Sequence, residues 1–285
     1  MSDSVASSCS GCPEAATCNE TPEACSLPPK KEKGAVRRLV AVGSGKGGVG
    51  KSSVTALLAV ALAKEGKKVG ILDADVTGPS IPKLLGIRAL PEGSPLGMVP
   101  PRSPELGICV MSVNLLLEDP AKPVIWRGPL VGNLVRQFWE DVFWDELDVL
   151  LVDLPPGTSD APLTVMQSLP LDGMLVVTSP QELSLMVVEK AMHMTKMLHV
   201  PLLGLVENLS FAECPKCKER IELFGPSHLD AFAEKWNVPV LGRLPWDPFI
   251  SRLGDKGRLE EYADLAQGDS LDALATTFRE ILQLA

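Results

Sequence analysis

Basic charge is the first thing this chain has little of. Lys and Arg number 27 against 36 Asp and Glu, for a net charge of −9. A chain that acidic has no general nucleic-acid-binding surface, because phosphate backbones are held by an excess of Lys and Arg. Long apolar runs are also missing. The stretch 54–63 is about half of the ~20 residues that a spanning helix needs. No apolar segment opens the chain, so no export signal and a cytoplasmic location are expected. Aromatics are scarce, at 5%, while hydrophobic residues reach 45%. That balance suits a large core of parallel strands buried on both faces and filled by Val, Leu, Ile and Ala. Histidine is scarce too. His193 and His199 have no partners at metal-ligand spacing and read as structural.

What the chain does have is Gly45-Lys46-Gly47-Gly48-Val49-Gly50-Lys51-Ser52, which fits the phosphate-loop pattern G-x-x-x-x-G-K-[ST]. The context fits as well. Residues 39–42 read as a short buried strand, and Val54, Leu57, Leu58, Ala61 and Leu62 fall at helical spacing. A loop that wraps a phosphate must aim several backbone N–H groups at one point, which glycine permits. The helix adds the positive end of its dipole. Lys51 is expected to reach the β- and γ-phosphates, with Ser52 on Mg²⁺ and Ser53 following it in the ATP site. Lys46 is not required by the pattern. It is either solvated or reaches a nucleotide on another subunit.

Acids recur where open α/β sheets bind ligands, at strand carboxyl ends. Residues 68–72 read as a strand running into Asp73 and Asp75. Asp75 is the candidate for orienting the attacking water and Asp73 for supporting the Mg²⁺ shell. The competing reading is that both cap a short helix over 81–85. Residues 148–153 read as a buried strand ending in Asp153, placed to hold Mg²⁺ through water. Pro155-Pro156-Gly157 follows as a turn that can switch when a γ-phosphate leaves, and Asp160 reads as the N-cap of the next helix. Further strands are expected over 107–117, 173–178, 202–206 and 239–244. Helices are expected over 130–143, 181–198 and 270–284, and a loop over 91–104. Arg127 is a candidate nucleotide sensor or partner contact, with a structural ion pair as the alternative. Asn208 is a candidate reader of an adenine edge or a turn-stabilising residue. Pro245 opens a loop that can close over the base.

Seven cysteines fall as two clusters and a singleton, Cys109, which reads as a core residue. Without an export signal, clustered cysteines favour metal over disulfides. Residues 1–35 are rich in Ser, Glu, Pro and Thr and read as a disordered tail, yet hold Cys9, Cys12, Cys18 and Cys25. Four thiolates at irregular spacing suit an iron–sulfur cluster. Zinc and redox-active or idle thiols remain as alternatives. Cys214-Pro-Lys-Cys217 lies in a polar stretch. It admits a redox pair, half of a zinc site, or two of the four thiolates of a [4Fe–4S] cluster shared between two copies on a two-fold axis.

GKGGVGKS resembles the deviant phosphate loop of the MinD/NifH/ArsA-type ATPases, whose extra lysine crosses a dimer interface; that resemblance gives Lys46 a catalytic role beside Lys51. GKGGVGKS, DADVTGPSIP, IWRGP, DLPPGTSD, ENLS and CPKC together resemble, in order, the Mrp/ApbC family of iron–sulfur cluster carrier ATPases, over about residues 37–285. The resemblance implies a doubly wound α/β P-loop fold, mostly parallel, with helices on both faces. It implies a dimer of identical or related chains, a [4Fe–4S] cluster bridged by Cys214 and Cys217 of both, and ATP-dependent transfer to apoproteins. It also implies base contacts from Asn208 and Pro245. The family's tail pattern is C-x₁₃-C-x₂-C-x₅-C. Cys9, Cys12 and Cys18 match its last three positions, the first is absent, and Cys25 stands on the other side. The expected organisation is a Cys-rich tail, 1–35, and an ATPase domain, 36–285, with the cysteine loop at 211–222. The alternative function is a MinD/ParA-like positioning switch, which leaves CPKC unexplained. A nitrogenase-reductase type holds its cluster with distant cysteines rather than CxxC. A bacterial tyrosine kinase needs a tyrosine cluster where this chain has only Tyr262.

Overall fold

The computed structural model describes residues 36–76, 78–117, 128–265 and 269–284. The tail cysteines Cys9, Cys12, Cys18 and Cys25, and Arg127, lie outside the described residues. In chain order the elements are β1 (Leu39–Ser44), α1 (Lys51–Lys64), β2 (Val69–Asp73), α2 (Ile81–Leu84), β3 (Glu92–Ser94), β4 (Gly97–Val99) and β5 (Cys109–Ser112). There follow α3 (Gly128–Glu140), β6 (Val149–Asp153), α4 (Asp160–Ser168), β7 (Gly173–Thr178), α5 (Glu182–Met197) and β8 (Leu202–Glu207). The chain then runs through β9 (Ala212–Glu213), β10 (Arg220–Ile221), α6 (Leu229–Trp236), β11 (Val240–Arg243), α7 (Pro248–Lys256) and α8 (Asp269–Leu282).

Seven strands form one sheet in the order β11-β8-β7-β1-β6-β2-β5. All its pairings are parallel. Such strands are buried on both faces, so β1, β2, β6 and β7 are buried at every position. Alternate residues feed two cores. Val40, Val42, Val149 and Leu151 pack with apolar residues of α1, α2 and α8. Leu39, Ala41, Leu150 and Val152 pack with those of α3, α4, α5 and α6. Helix α1 is buried continuously from Val54 to Leu62, which is why it is apolar all round rather than on one stripe. The sheet is therefore doubly wound as expected. Strand β1 lies between β6 and β7, so the loop leaving it opens at the point where the winding reverses.

Three expectations need correction. The apolar stretch 107–117 is strand only over Cys109–Ser112 and then turns into a 3₁₀ segment, Val113–Leu116. Val113 and Leu115 remain buried there, so an apolar run alone did not distinguish the two shapes. The loop expected over 91–104 contains the β3–β4 hairpin. That hairpin is held from outside, by Met98 N–H on the Asp141 carbonyl at 2.9 Å and Phe143 N–H on the Met98 carbonyl at 2.8 Å. Asp160 is the first residue of α4, not its cap. Ser159 holds the N-cap position without a side-chain capping bond.

Candidate functional site

The loop after β1 begins pressed against α5. A Cβ on Gly45 would lie 2.7 Å from the backbone carbonyl carbon of Val187, so no side chain fits there. At its far end Gly50 has φ +78, a left-handed conformation that glycine adopts without strain. A Cβ on Gly50 would also meet the Asn208 amide nitrogen at 2.3 Å. That amide donates to the Val49 carbonyl at 2.9 Å, tying the end of β8 to the phosphate loop. Val49 is buried, whereas Gly47 and Gly48 are exposed at the loop's crown. Lys46 stands on the rim and its ammonium donates to Gln181 Oε1, just before α5. Ser53 is half-buried in the first turn of α1.

Below the loop, Asp153 at the end of β6 gathers three groups from one face of α1. Lys51 Nζ pairs with its Oδ2 at 2.6 Å. Ser52 Oγ donates to the same oxygen at 2.6 Å. Thr55 Oγ1 donates to Oδ1 at 2.7 Å. Asp73 faces Asp153 because β2 and β6 pair in register at these two residues. Asp73 is buried, and its carboxylate accepts from Asp75 N–H at 3.2 Å, Ile81 N–H at 3.4 Å and Ser112 Oγ at 3.2 Å. Burial, and then the neighbouring Asp153, push its pKa up to about 8, against the opposing pull of Lys51. Asp73 thus holds the first N–H of α2, as the capping reading expects, and stands beside Asp153. Asp75 is buried beside it and accepts from Gly78 N–H at 3.2 Å.

These oxygens suit a small hard cation. Ser52 Oγ, Asp153 and Asp73 form an oxygen set of the kind Mg²⁺ takes. A divalent charge there would offset the burial and the Asp153 repulsion that raise the Asp73 pKa. The Pro155-Pro156-Gly157 turn leans on the same loop. Gly157 N–H donates to the Ser44 carbonyl at 3.0 Å, with φ +91. Pro245 is half-buried beyond β11, where Leu244 N–H bonds the Glu207 carbonyl at 2.9 Å.

The cysteine pair sits on the β9–β10 hairpin, which enters the chain just after β8 and therefore at the same edge of the sheet as the loop. Lys218 N–H donates to the Cys214 carbonyl and Cys214 N–H to the Glu219 carbonyl, both at 2.9 Å, closing a tight knuckle. Lys218 at φ 62 makes its turn. The backbone N–H groups of Cys217 and Lys216 point at the Cys214 sulfur. With the Cys217 thiol, they hold its pKa below the usual thiol range. Cys217 is exposed, and both thiols are free. No group of three or more His, Cys, Asp or Glu side chains among the described residues can hold a metal ion. Cys109, by contrast, is buried in β5, where burial raises its pKa.

Several contacts escaped the sequence reading. Thr55 is three residues from Ser52 and four from Lys51, so helical spacing alone put it on the same face. Ser112 and Gln181 carry no comparable signal. The Glu207 carboxylate, buried at the end of β8, is the fourth: it accepts from Ser210 and Ser227.

The ParA family model described as NUBPL iron-transfer P-loop NTPase matches residues 35–282. An iron–sulfur cluster carrier protein of Methanocaldococcus jannaschii is 44% identical over 254 residues, 87% of either chain. A nucleotide-binding protein from Archaeoglobus fulgidus, solved in complex with ADP and with cobalt found, is 48% identical with a TM-score of 0.73. The match covers 80% of this chain and 89% of that one. The cell-division ATPase MinD of Pyrococcus furiosus superposes with a TM-score of 0.61 at 21% identity, covering 86% of this chain and 99% of its own, a likeness of fold alone.

Proposed function

This chain belongs to the NUBPL iron-transfer P-loop NTPase family, and from that membership we propose that it is an ATP-dependent iron–sulfur cluster scaffold and carrier. Its cargo is a [4Fe–4S] cluster, held between two copies of the chain and passed to apoproteins. The observation that carries this reading is the knuckle of Cys214 and Cys217. It offers two free thiols, one biased toward thiolate, at the nucleotide edge of the sheet, and no third ligand joins them among the described residues. A four-iron cluster takes four thiolates. Two copies meeting at this hairpin supply that number.

In this reading the ATPase domain is 36–285 and the tail 1–35 is a separate cysteine-bearing segment. The loop 45–52 and Ser53 hold ATP, and Asn208 and Pro245 flank the base. Water attacks the γ-phosphorus and the β–γ bond breaks to give ADP and phosphate. Asp75 orients the water and Lys51 follows the charge on the phosphates. Ser52, Asp73 and Asp153 hold Mg²⁺, which when bound neutralises phosphate charge. Lys46 reaches the partner's nucleotide after leaving Gln181. Hydrolysis by such a site is slow, on the order of 10⁻² s⁻¹ or below, without a supplied catalytic charge. Dimerisation through Lys46 supplies one, so turnover and cluster handling become one cycle. Gly157 senses loss of the γ-phosphate. A cytoplasmic setting accords with free thiols, and no helix among the described residues is long and apolar enough to cross a membrane.

The test is anaerobic iron and sulfide analysis of the full chain, a form without residues 1–35, and a Cys214→Ala/Cys217→Ala form of each. The tail-less protein is expected to bind about two irons per chain, half of one shared four-iron cluster, and its cysteine variant none. The full-length difference then reports what the tail holds. A tail-less protein that stays colourless and iron-free after reconstitution overturns the carrier reading and leaves the MinD/ParA-like switch.

A further inference from the structure

The cysteine hairpin is anchored at both ends by one buried carboxylate. Ser210, just before β9, donates to Glu207 Oε2 at 2.6 Å. Ser227, just before α6, donates to Oε1 at 2.6 Å. Residues 211–226, with Cys214 and Cys217, lie between these two bonds, and Trp246 N–H on the Phe211 carbonyl at 2.7 Å also holds the start of that segment. Arg243 Nε lies 3.5 Å from Oε2, giving the buried charge a partner. The adjacent residue, Asn208, bonds the phosphate loop at Val49. Between the loop contact and the hairpin stands Leu209 at φ 59, left-handed for a residue with a side chain. Such a conformation is strained and persists only where its surroundings hold it. Here Asn208 is held by its side chain on Val49 and its N–H on the Thr178 carbonyl, and Ser210 by its hydroxyl on Glu207 and its N–H on the Leu244 carbonyl.

We propose that Glu207 is a positioning residue that couples the phosphate loop to the cysteine hairpin, through Asn208 and the strained peptide at Leu209. The proposal rests on the carrier reading for what the hairpin holds, and adds how nucleotide regulates it. A phosphate that draws the loop's N–H groups inward moves the Val49 carbonyl. Asn208 follows, Leu209 changes its backbone angles, and the clamp carries the change to both ends of the hairpin. Coupling of this kind requires an element whose two arrangements both sites bias, and Leu209 is the residue assigned that change here.

The test reads the thiols directly. Iodoacetamide labelling of Cys214 is followed by peptide mass spectrometry on the full chain, with Mg²⁺ and either no nucleotide or β,γ-methylene-ATP. In the wild type the analogue is expected to change the Cys214 labelling rate by about fivefold or more, the low end of ordinary coupling. In Glu207→Ala the ratio falls below about twofold while a fluorescent nucleotide still binds. Ser210→Ala/Ser227→Ala leaves the carboxylate and its Arg243 partner in place, removes both hydroxyl donors together with the acceptor that Ser227 Oγ offers to Leu229 N–H, and is expected to lose the ratio equally. Glu207→Asp, with the charge kept but the reach shortened, is expected to restore part of it. A wild type without a nucleotide-dependent ratio, or variants that keep it, overturns the coupling. Iron content after reconstitution separates the two ideas. Iron bound without a ratio refutes the coupling and spares the carrier. A ratio without iron refutes the carrier and spares the coupling.

Discussion

Replacing Asp73 by Asn should make the protein's stability less dependent on pH, and the sign follows from the geometry. Asp73 is buried opposite Asp153, and its pKa is pushed up to about 8 from an ordinary 3.8. The native state therefore keeps this proton over a range in which the unfolded chain has released it. Stability contributed by the neutral form is full below the ordinary value and is lost as pH rises toward 8. The slope is up to about 1.4 kcal/mol per pH unit. Asn cannot ionise, so its slope from this position is zero. Its amide imitates a protonated carboxyl, with one oxygen for Asp75 N–H and one N–H group that can turn to Ser112 Oγ. The bond from Ile81 N–H is the one it disturbs, at a pH-independent cost of about 1 kcal/mol. Relative to wild type, Asp73→Asn is thus expected to gain up to about 2.7 kcal/mol between pH 5 and pH 7. Urea unfolding in EDTA, without nucleotide, at pH 5, 6 and 7 measures it. A difference between the two proteins that stays constant over that range refutes the assignment of a retained proton to Asp73. The same proton should leave when Mg·ATP binds. Calorimetry in two buffers at pH 7 should show release of about 0.9 proton per site by wild type beyond that by Asp73→Asn.

Three further outcomes follow from single contacts. Gly50→Ala places a Cβ against the Asn208 amide at φ +78, and should lower the melting temperature, with about 1–2 kcal/mol from the backbone alone, and abolish ATP binding in a filter assay. Thr55→Val removes a donor to the buried Asp153. It should cost about 1.5–3 kcal/mol in urea unfolding, with unchanged stability counting against the network. Cys214, with its lowered pKa, should be alkylated faster than Cys217 at pH 7 in the cluster-free protein. That preference should shrink as pH rises past the ordinary thiol range; equal rates at pH 7 would falsify the N–H-stabilised thiolate.

Local spacing made much of this legible. The loop 45–52 was readable because its glycines, its lysine and the strand and helix on either side are contiguous. Asp73 and Asp153 were readable as neighbours of the phosphate loop because each ends a run of buried-strand character. The 3₁₀ segment after Ser112 was not readable, since Val113 and Leu115 are as buried as strand residues would be. The β3–β4 hairpin was missed because its own ladder is only three residues long and it is supported by backbone bonds with Asp141 and Phe143, beyond α3. Ser112 and Gln181 were missed for the same reason: each touches a group at least 39 residues away.

The sequence by itself determined the P-loop α/β fold, the family, the position of the phosphate loop and the presence of a cysteine pair, because each is written in adjacent residues or in their period. Only the tertiary structure decided which acids stand side by side, where Lys46 rests, and that one carboxylate holds both ends of the cysteine hairpin. Those follow from strand register and from the order β11-β8-β7-β1-β6-β2-β5. That order brings together residues far apart in the chain, and no local pattern records the distance between them.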